Sequence, residues 1–123
     1  MHKPARIIAI CHPKGGVGKT TTTMILAAAL AERSYQILVV DCDAQATASA
    51  WANAAPEGTP FPAAVVNLSA YVGKVHREIQ KQLGNYDFII VDCPPGLDSL
   101  SPQSAILVAD LVIVPLPPSP ADL

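Results

Sequence analysis

From Lys14 to Thr21 the chain reads Lys14-Gly15-Gly16-Val17-Gly18-Lys19-Thr20-Thr21, residue types suited to holding phosphate. Small residues let successive backbone N–H groups turn inward onto an anion, and Gly15, Gly16 and Gly18 supply them. Lys19 is placed to reach the β- and γ-phosphates of a nucleotide, and the Thr20 hydroxyl to ligate the Mg²⁺ that bridges them. A glycine-rich turn that binds nothing has no need of Lys14, Lys19, Thr20 and Thr21 at these positions. The loop departs from the common G-x-x-x-x-G-K-[ST] pattern, with Pro13 in the slot of the first glycine and Lys14 directly after it. That second lysine is surplus to the nucleotide of its own chain, which Lys19 already serves.

Three acids accompany the loop. Asp41 and Asp43 follow the apolar run that begins at Gln36, and Asp92 follows Phe88-Ile89-Ile90-Val91. In an open α/β sheet, ligands bind outside the carboxyl ends of the strands, so all three acids are expected to face the loop. Asp92 matches the acid that holds Mg²⁺ in P-loop NTPases, directly or through water. One acid after a strand commonly caps the next helix. Three beside a phosphate loop favour chemistry.

The elements that must position these groups alternate along the chain. Strands are predicted over residues 6–11, 36–41, 64–67, 86–92 and 111–115. Helices are predicted over 20–33, 45–53, 72–83 and 101–108, and the first would turn the positive end of its dipole toward the loop. In the third helix Val72, Val75, Ile79 and Leu83 recur at helical spacing, with Lys74, Arg77, Glu78 and Lys81 mostly opposite. The pattern is that of a mostly parallel sheet with helices on both faces. No repeat or linker divides residues 1–123, which read as one P-loop nucleotide-binding domain.

Half of the 123 residues are hydrophobic, enough for a substantial core. The net charge of −2 and the absence of a basic block argue against a tight, sequence-reading nucleic-acid surface in this segment. Cys11, Cys42 and Cys93 are widely spaced, lack a C-x-x-C, and fit reduced cytosolic thiols. Each lies at the carboxyl end of a predicted strand, so they are expected to be neighbours, and buried thiols are favoured there over a metal or Fe–S site. Six residues up to Arg6 leave no room for a signal peptide, and no apolar run approaches the roughly 20 residues that span a bilayer. A soluble, cytoplasmic protein is expected.

The loop-entry lysine, Lys14, resembles the signature lysine of the deviant Walker A ATPases, the family of ParA, MinD and the nitrogenase iron protein. Asp41-Cys42-Asp43-Ala44-Gln45 resembles the D-x-D-P-Q motif of that family, with Ala44 in place of the proline. The stretch from Val114 to Leu123 is similar to the V-P-x-x-P-S-P-x-D-L segment of small ParA-type partition ATPases, as is Trp51 shortly after the acidic motif. The resemblance covers nearly the whole chain and implies a P-loop NTPase fold continuing in longer relatives, so that this chain reads as the N-terminal part of a ParA-like ATPase, truncated at its C-terminus. It also implies ATP and Mg²⁺ as ligands. Lys14, Gly15, Gly16, Val17, Gly18, Lys19, Thr20 and Thr21 would form the nucleotide loop, and Thr20, Asp41 and Asp92 the metal shell. Asp43 would orient the attacking water beside Lys19. Lys14 would reach the nucleotide of a second subunit, like an arginine finger supplied in trans. The implied activity is ATP hydrolysis in plasmid or chromosome segregation, through an ATP-dependent homodimer, non-specific DNA and a ParB-like centromere-binding partner, with no membrane role. Alternatives in the same superfamily are a MinD-like membrane-cycling ATPase, for which no amphipathic C-terminal helix is present in this sequence, and a metabolic enzyme of the dethiobiotin or cobyrinic acid synthase type, for which the loops look short. An iron-protein-like reductase would need paired cluster cysteines, and Cys93 directly after Asp92 does not match that placement.

Overall fold

The five apolar runs assemble into one all-parallel sheet in a computed structural model that describes residues 3–12, 18–94 and 100–116. Along the chain, β1 (Arg6–Ile10) is followed by α1 (Lys19–Glu32), β2 (Ile37–Asp41), α2 (Thr47–Asn53) and β3 (Ala64–Asn67). Then come α3 (Val75–Gln80), β4 (Phe88–Asp92), α4 (Leu100–Val108) and β5 (Leu111–Ile113). The strand order is β3-β2-β4-β1-β5, so β4 inserts between β1 and β2. Strands buried on both faces read as continuous apolar runs, which is why β1, β2 and β4 stand out in the sequence.

The two faces of the sheet carry separate cores. On one, Ile8, Ile10, Ile37, Val39 and Ile90 pack beneath Met24 and Ala27 of α1 and Ala48 of α2. On the other, Ile7, Ala9, Leu38, Val40, Ile89 and Val91 pack beneath Val75 and Ile79 of α3 and Ala105 of α4. Side chains alternate between faces along a strand, so the register decides which face each end-of-strand residue meets. Ile10, Asp92 and Asp41 stand in one row across β1, β4 and β2. By parity with Ile90 and Val39, Asp92 and Asp41 meet the face of α1 and α2.

Six elements are shorter than the sequence predicts: β1, β2, α2 and β4 by one or two residues, and the third helix and last strand for reasons the backbone shows. The third helix occupies Val75–Gln80 rather than 72–83. Gly73 has φ of 75°, a left-handed conformation that a helix cannot continue through, and Val72 is left 58% exposed instead of on the buried face. Beyond Gln80 the chain turns through three-residue steps such as Gln82 N–H to Ile79 O at 2.9 Å. The last strand ends at Ile113, two residues short, because Pro115 carries no N–H for the ladder.

Candidate functional site

The site begins where β1 gives way to α1. Pro13, Lys14, Gly15, Gly16 and Val17 lie outside the described residues, which resume at Gly18. Gly18 has φ of 83°, the left-handed region that favours glycine, and its carbonyl accepts the first helical bond from Thr22 N–H at 2.8 Å. Gly18, the N-cap of α1, makes no side-chain cap hydrogen bond, and the N–H groups of a helix's first turn suit an anion. Lys19 opens the helix and is only 6% exposed, while Thr21 points outward. Thr20 Oγ1 donates to Asp92 Oδ2 at 2.8 Å, joining the start of α1 to the carboxyl end of β4.

Asp92 is the most telling group. It is 1% exposed, and its Oδ1 is a buried acceptor that receives no hydrogen bond among the described residues. Burial pushes its carboxyl up to about 6, against the Thr20 hydrogen bond and the Lys19 charge, which act downward. The acids Asp41 and Asp43 add to the upward push. A buried carboxylate oxygen without a donor is costly unless something positive meets it. A hydroxyl and a carboxylate oxygen are the hard oxygen donors that Mg²⁺ prefers. The residues present therefore fit a magnesium ion.

Asp41 and Asp43 are differently employed. Asp41 is fully buried and accepts from Asp43 N–H at 3.1 Å through Oδ1, and from Ser49 N–H and Ser49 Oγ at 3.1 and 3.0 Å through Oδ2. It thus ties the start of α2 to the end of β2, alongside any part in a metal shell. Asp43 is half-buried, and among the described residues only its Oδ1 is engaged, by Gln45 N–H at 2.9 Å. Asn67 Nδ2, at the end of β3, donates to the Asp43 carbonyl at 3.0 Å. The Asp43 peptide is therefore held on both sides, by Asp41 and by Asn67. Ser49 and Asn67 were not singled out from the sequence, where each is an ordinary polar residue in an ordinary element. Ala46, in the turn that follows, has φ of 55°, an uncommon conformation for a residue with a Cβ.

On the opposite face of the sheet, one residue further along, lie the three cysteines, all buried and none disulfide-bonded. Cys11 and Cys93 share a hydrogen bond with their sulfurs 3.0 Å apart. That bond lowers the Cys11 thiol and raises that of Cys93, which burial raises further. Burial also pushes Cys42 up to about 12. Among the described residues, no group of three or more His, Cys, Asp or Glu side chains is arranged to hold a metal, and no helix is long and apolar enough to cross a membrane.

With this geometry in hand, comparisons place the chain among known proteins. A family model described as an AAA domain matches residues 5–71 and 62–122. The chain is 39% identical over 118 residues to the maintenance of carboxysome distribution protein A of Gloeobacter kilaueensis, covering 96% of this chain and 52% of that protein. It is 31% identical to the chromosome partitioning protein ParA of Myxococcus xanthus, covering 90% of this chain and 52% of that one. Among solved structures, cobyrinic acid a,c-diamide synthase from Mycobacterium smegmatis, with bound ADP and magnesium, superimposes with a TM-score of 0.77 at 25% identity. That match covers 91% of this chain and 60% of the synthase. The chain spans about half the length of the curated relatives it matches.

Proposed function

The chain belongs to the ParA/MinD-type family of P-loop ATPases, and we propose that it binds ATP with Mg²⁺ and hydrolyses it as the nucleotide switch of a partition-type positioning system. The observation that carries the nucleotide part is the Thr20–Asp92 hydrogen bond beside Asp92 Oδ1, which has no donor among the described residues. In this reading Lys19 and the N-terminal N–H groups of α1 bind the phosphates, while Thr20 and Asp92 hold the metal and Asp41 supports its shell. Mg²⁺, when bound, neutralises charge on the β- and γ-phosphates. Asp43, with Oδ2 left to accept a hydrogen bond, orients the attacking water. Its carbonyl and N–H are already fixed by Asn67 and Asp41, so its aim costs little reorganisation.

Lys14 completes the site from a second subunit, which ties hydrolysis to an ATP-dependent homodimer. The partition reading draws on the similarity to ParA and to the carboxysome distribution protein, and extends to non-specific DNA bound by the dimer and a ParB-like partner that stimulates hydrolysis. Sedimentation with ATP and with ADP tests it. An ATP-specific dimer that Lys14→Ala abolishes, while ATP binding persists, is the expected result. A chain that stays monomeric with ATP yet turns it over would contradict it. That outcome would favour a metabolic enzyme of the kind represented by the cobyrinic acid a,c-diamide synthase, the second reading raised by the structural match.

A further inference from the structure

The row of residues just beyond Ile10, Asp92 and Asp41 is Cys11, Cys93 and Cys42, on three neighbouring strands in the order β1, β4, β2. The ladder runs on into this row: Cys93 N–H donates to Ile10 O at 3.1 Å and Cys42 N–H to Asp92 O at 3.0 Å. All three side chains fall on the face of α3 and α4, away from the acids. We propose that Cys11 and Cys93 form an oxidation site, a dithiol that hydrogen peroxide converts to an intramolecular disulfide at the base of the nucleotide site.

Geometry selects this pair. Neighbouring residues on adjacent strands stand about 4.8 Å apart, within the roughly 4.4–6.8 Å between Cα atoms that a disulfide accepts. The sulfurs already lie 3.0 Å apart and need close by only about 1 Å to bond. Burial selects the product. Cys11 is 0% and Cys93 1% exposed, which keeps out bulky thiols and the cysteines of other chains, whereas peroxide is little larger than water. The chemistry balances without a further reagent. One thiol loses its proton and its sulfur attacks a peroxide oxygen; the O–O bond breaks, leaving a sulfenic acid and one water. The second sulfur then displaces the hydroxyl as another water, forming the S–S bond. Two thiols are oxidised by two electrons and one peroxide is reduced. The cross-link joins the strand that leads into the phosphate loop to the residue directly after Asp92, so it restrains both halves of the site at once.

The test is peptide mapping of the native chain after exposure to hydrogen peroxide, with remaining thiols alkylated on denaturation. Trypsin cuts after Arg6, Lys14, Arg33, Lys74 and Lys81, which puts each cysteine in its own peptide. The expected result is a Cys11–Cys93 linked peptide lighter by two hydrogens, an alkylated Cys42, and loss of the linkage when the denatured, digested sample is treated with a thiol reductant. Cys42→Ser should give the same linkage. Three alkylated cysteines, a linkage through Cys42, disulfide-bonded dimers, or sulfinic acids in place of the linkage would each overturn the assignment.

Discussion

Replacing Asp92 by Asn probes the charge that the fold buries in the absence of metal. The folded carboxyl titrates at about 6 instead of its ordinary 3.8, chiefly because burial disfavours the ionised form. A folded pKa raised above the unfolded one means that the native state holds the proton more tightly. Stability then falls as pH rises from about 4 through 6 and is flat above. At about 1.4 kcal/mol per pH unit, ionised Asp92 costs the native state about 3 kcal/mol at pH 8. Asn keeps the shape and can still pair with Thr20, so in EDTA at pH 8 Asp92→Asn should be more stable than wild type by about 1–3 kcal/mol. The gap should close toward pH 4, where the wild-type carboxyl is protonated. Mg-ATP at a thousandfold its Kd should reverse the order, since it adds about 4.1 kcal/mol to a chain that binds it. Urea denaturation at pH 4, 6 and 8, in EDTA and in Mg-ATP, measures each quantity. A variant less stable than wild type in EDTA at pH 8, or a gap indifferent to pH, would refute the reasoning.

Further outcomes follow from the same geometry. Asp43→Ala should lower kcat with little change in nucleotide affinity and so accumulate the ATP-bound form, as steady-state kinetics beside equilibrium binding will show; equal loss of binding would place Asp43 in the metal shell instead. Ser49→Ala removes one of three donors to the fully buried Asp41 and should cost about 1.5–3 kcal/mol in chemical denaturation. Gly18→Ala meets no neighbour within 4 Å but keeps a φ of 83°, so a loss of about 1–2 kcal/mol should come from backbone strain alone, read from the midpoint of thermal unfolding.

Much of this arrangement was legible in the sequence because its signals are local. The strands β1, β2 and β4 are apolar on both faces and end in Ile10, Asp41 and Asp92, so their alternation with helices and the row of acids at the strand ends could be read directly. Gly18-Lys19-Thr20 announced the start of α1 to within a residue. The third helix misled because the spacing of Val72 and Leu83 continues the apolar pattern, whereas the left-handed Gly73 and the tight turns after Gln80 end the helix early. The supports of the acids were hidden for a different reason. Asn67 reaches Asp43 only because β3 lies beside β2 in a register that sets Asn67 level with Asp41. Likewise, the cysteines could be placed at strand ends from the sequence, but the pairing of Cys11 with Cys93 depends on the insertion of β4 next to β1.

The central claim is that α1 and β4 build a Mg-nucleotide site around Lys19, Thr20 and Asp92. Isothermal titration calorimetry of ATP into wild type and Lys19→Ala, with Mg²⁺ and with EDTA, tests it most directly. The account predicts Mg²⁺-dependent binding in wild type, weakened about 10- to 100-fold in the variant by loss of a charge-assisted phosphate contact, with circular dichroism unchanged. Equal ATP affinity in a folded Lys19→Ala chain would contradict it.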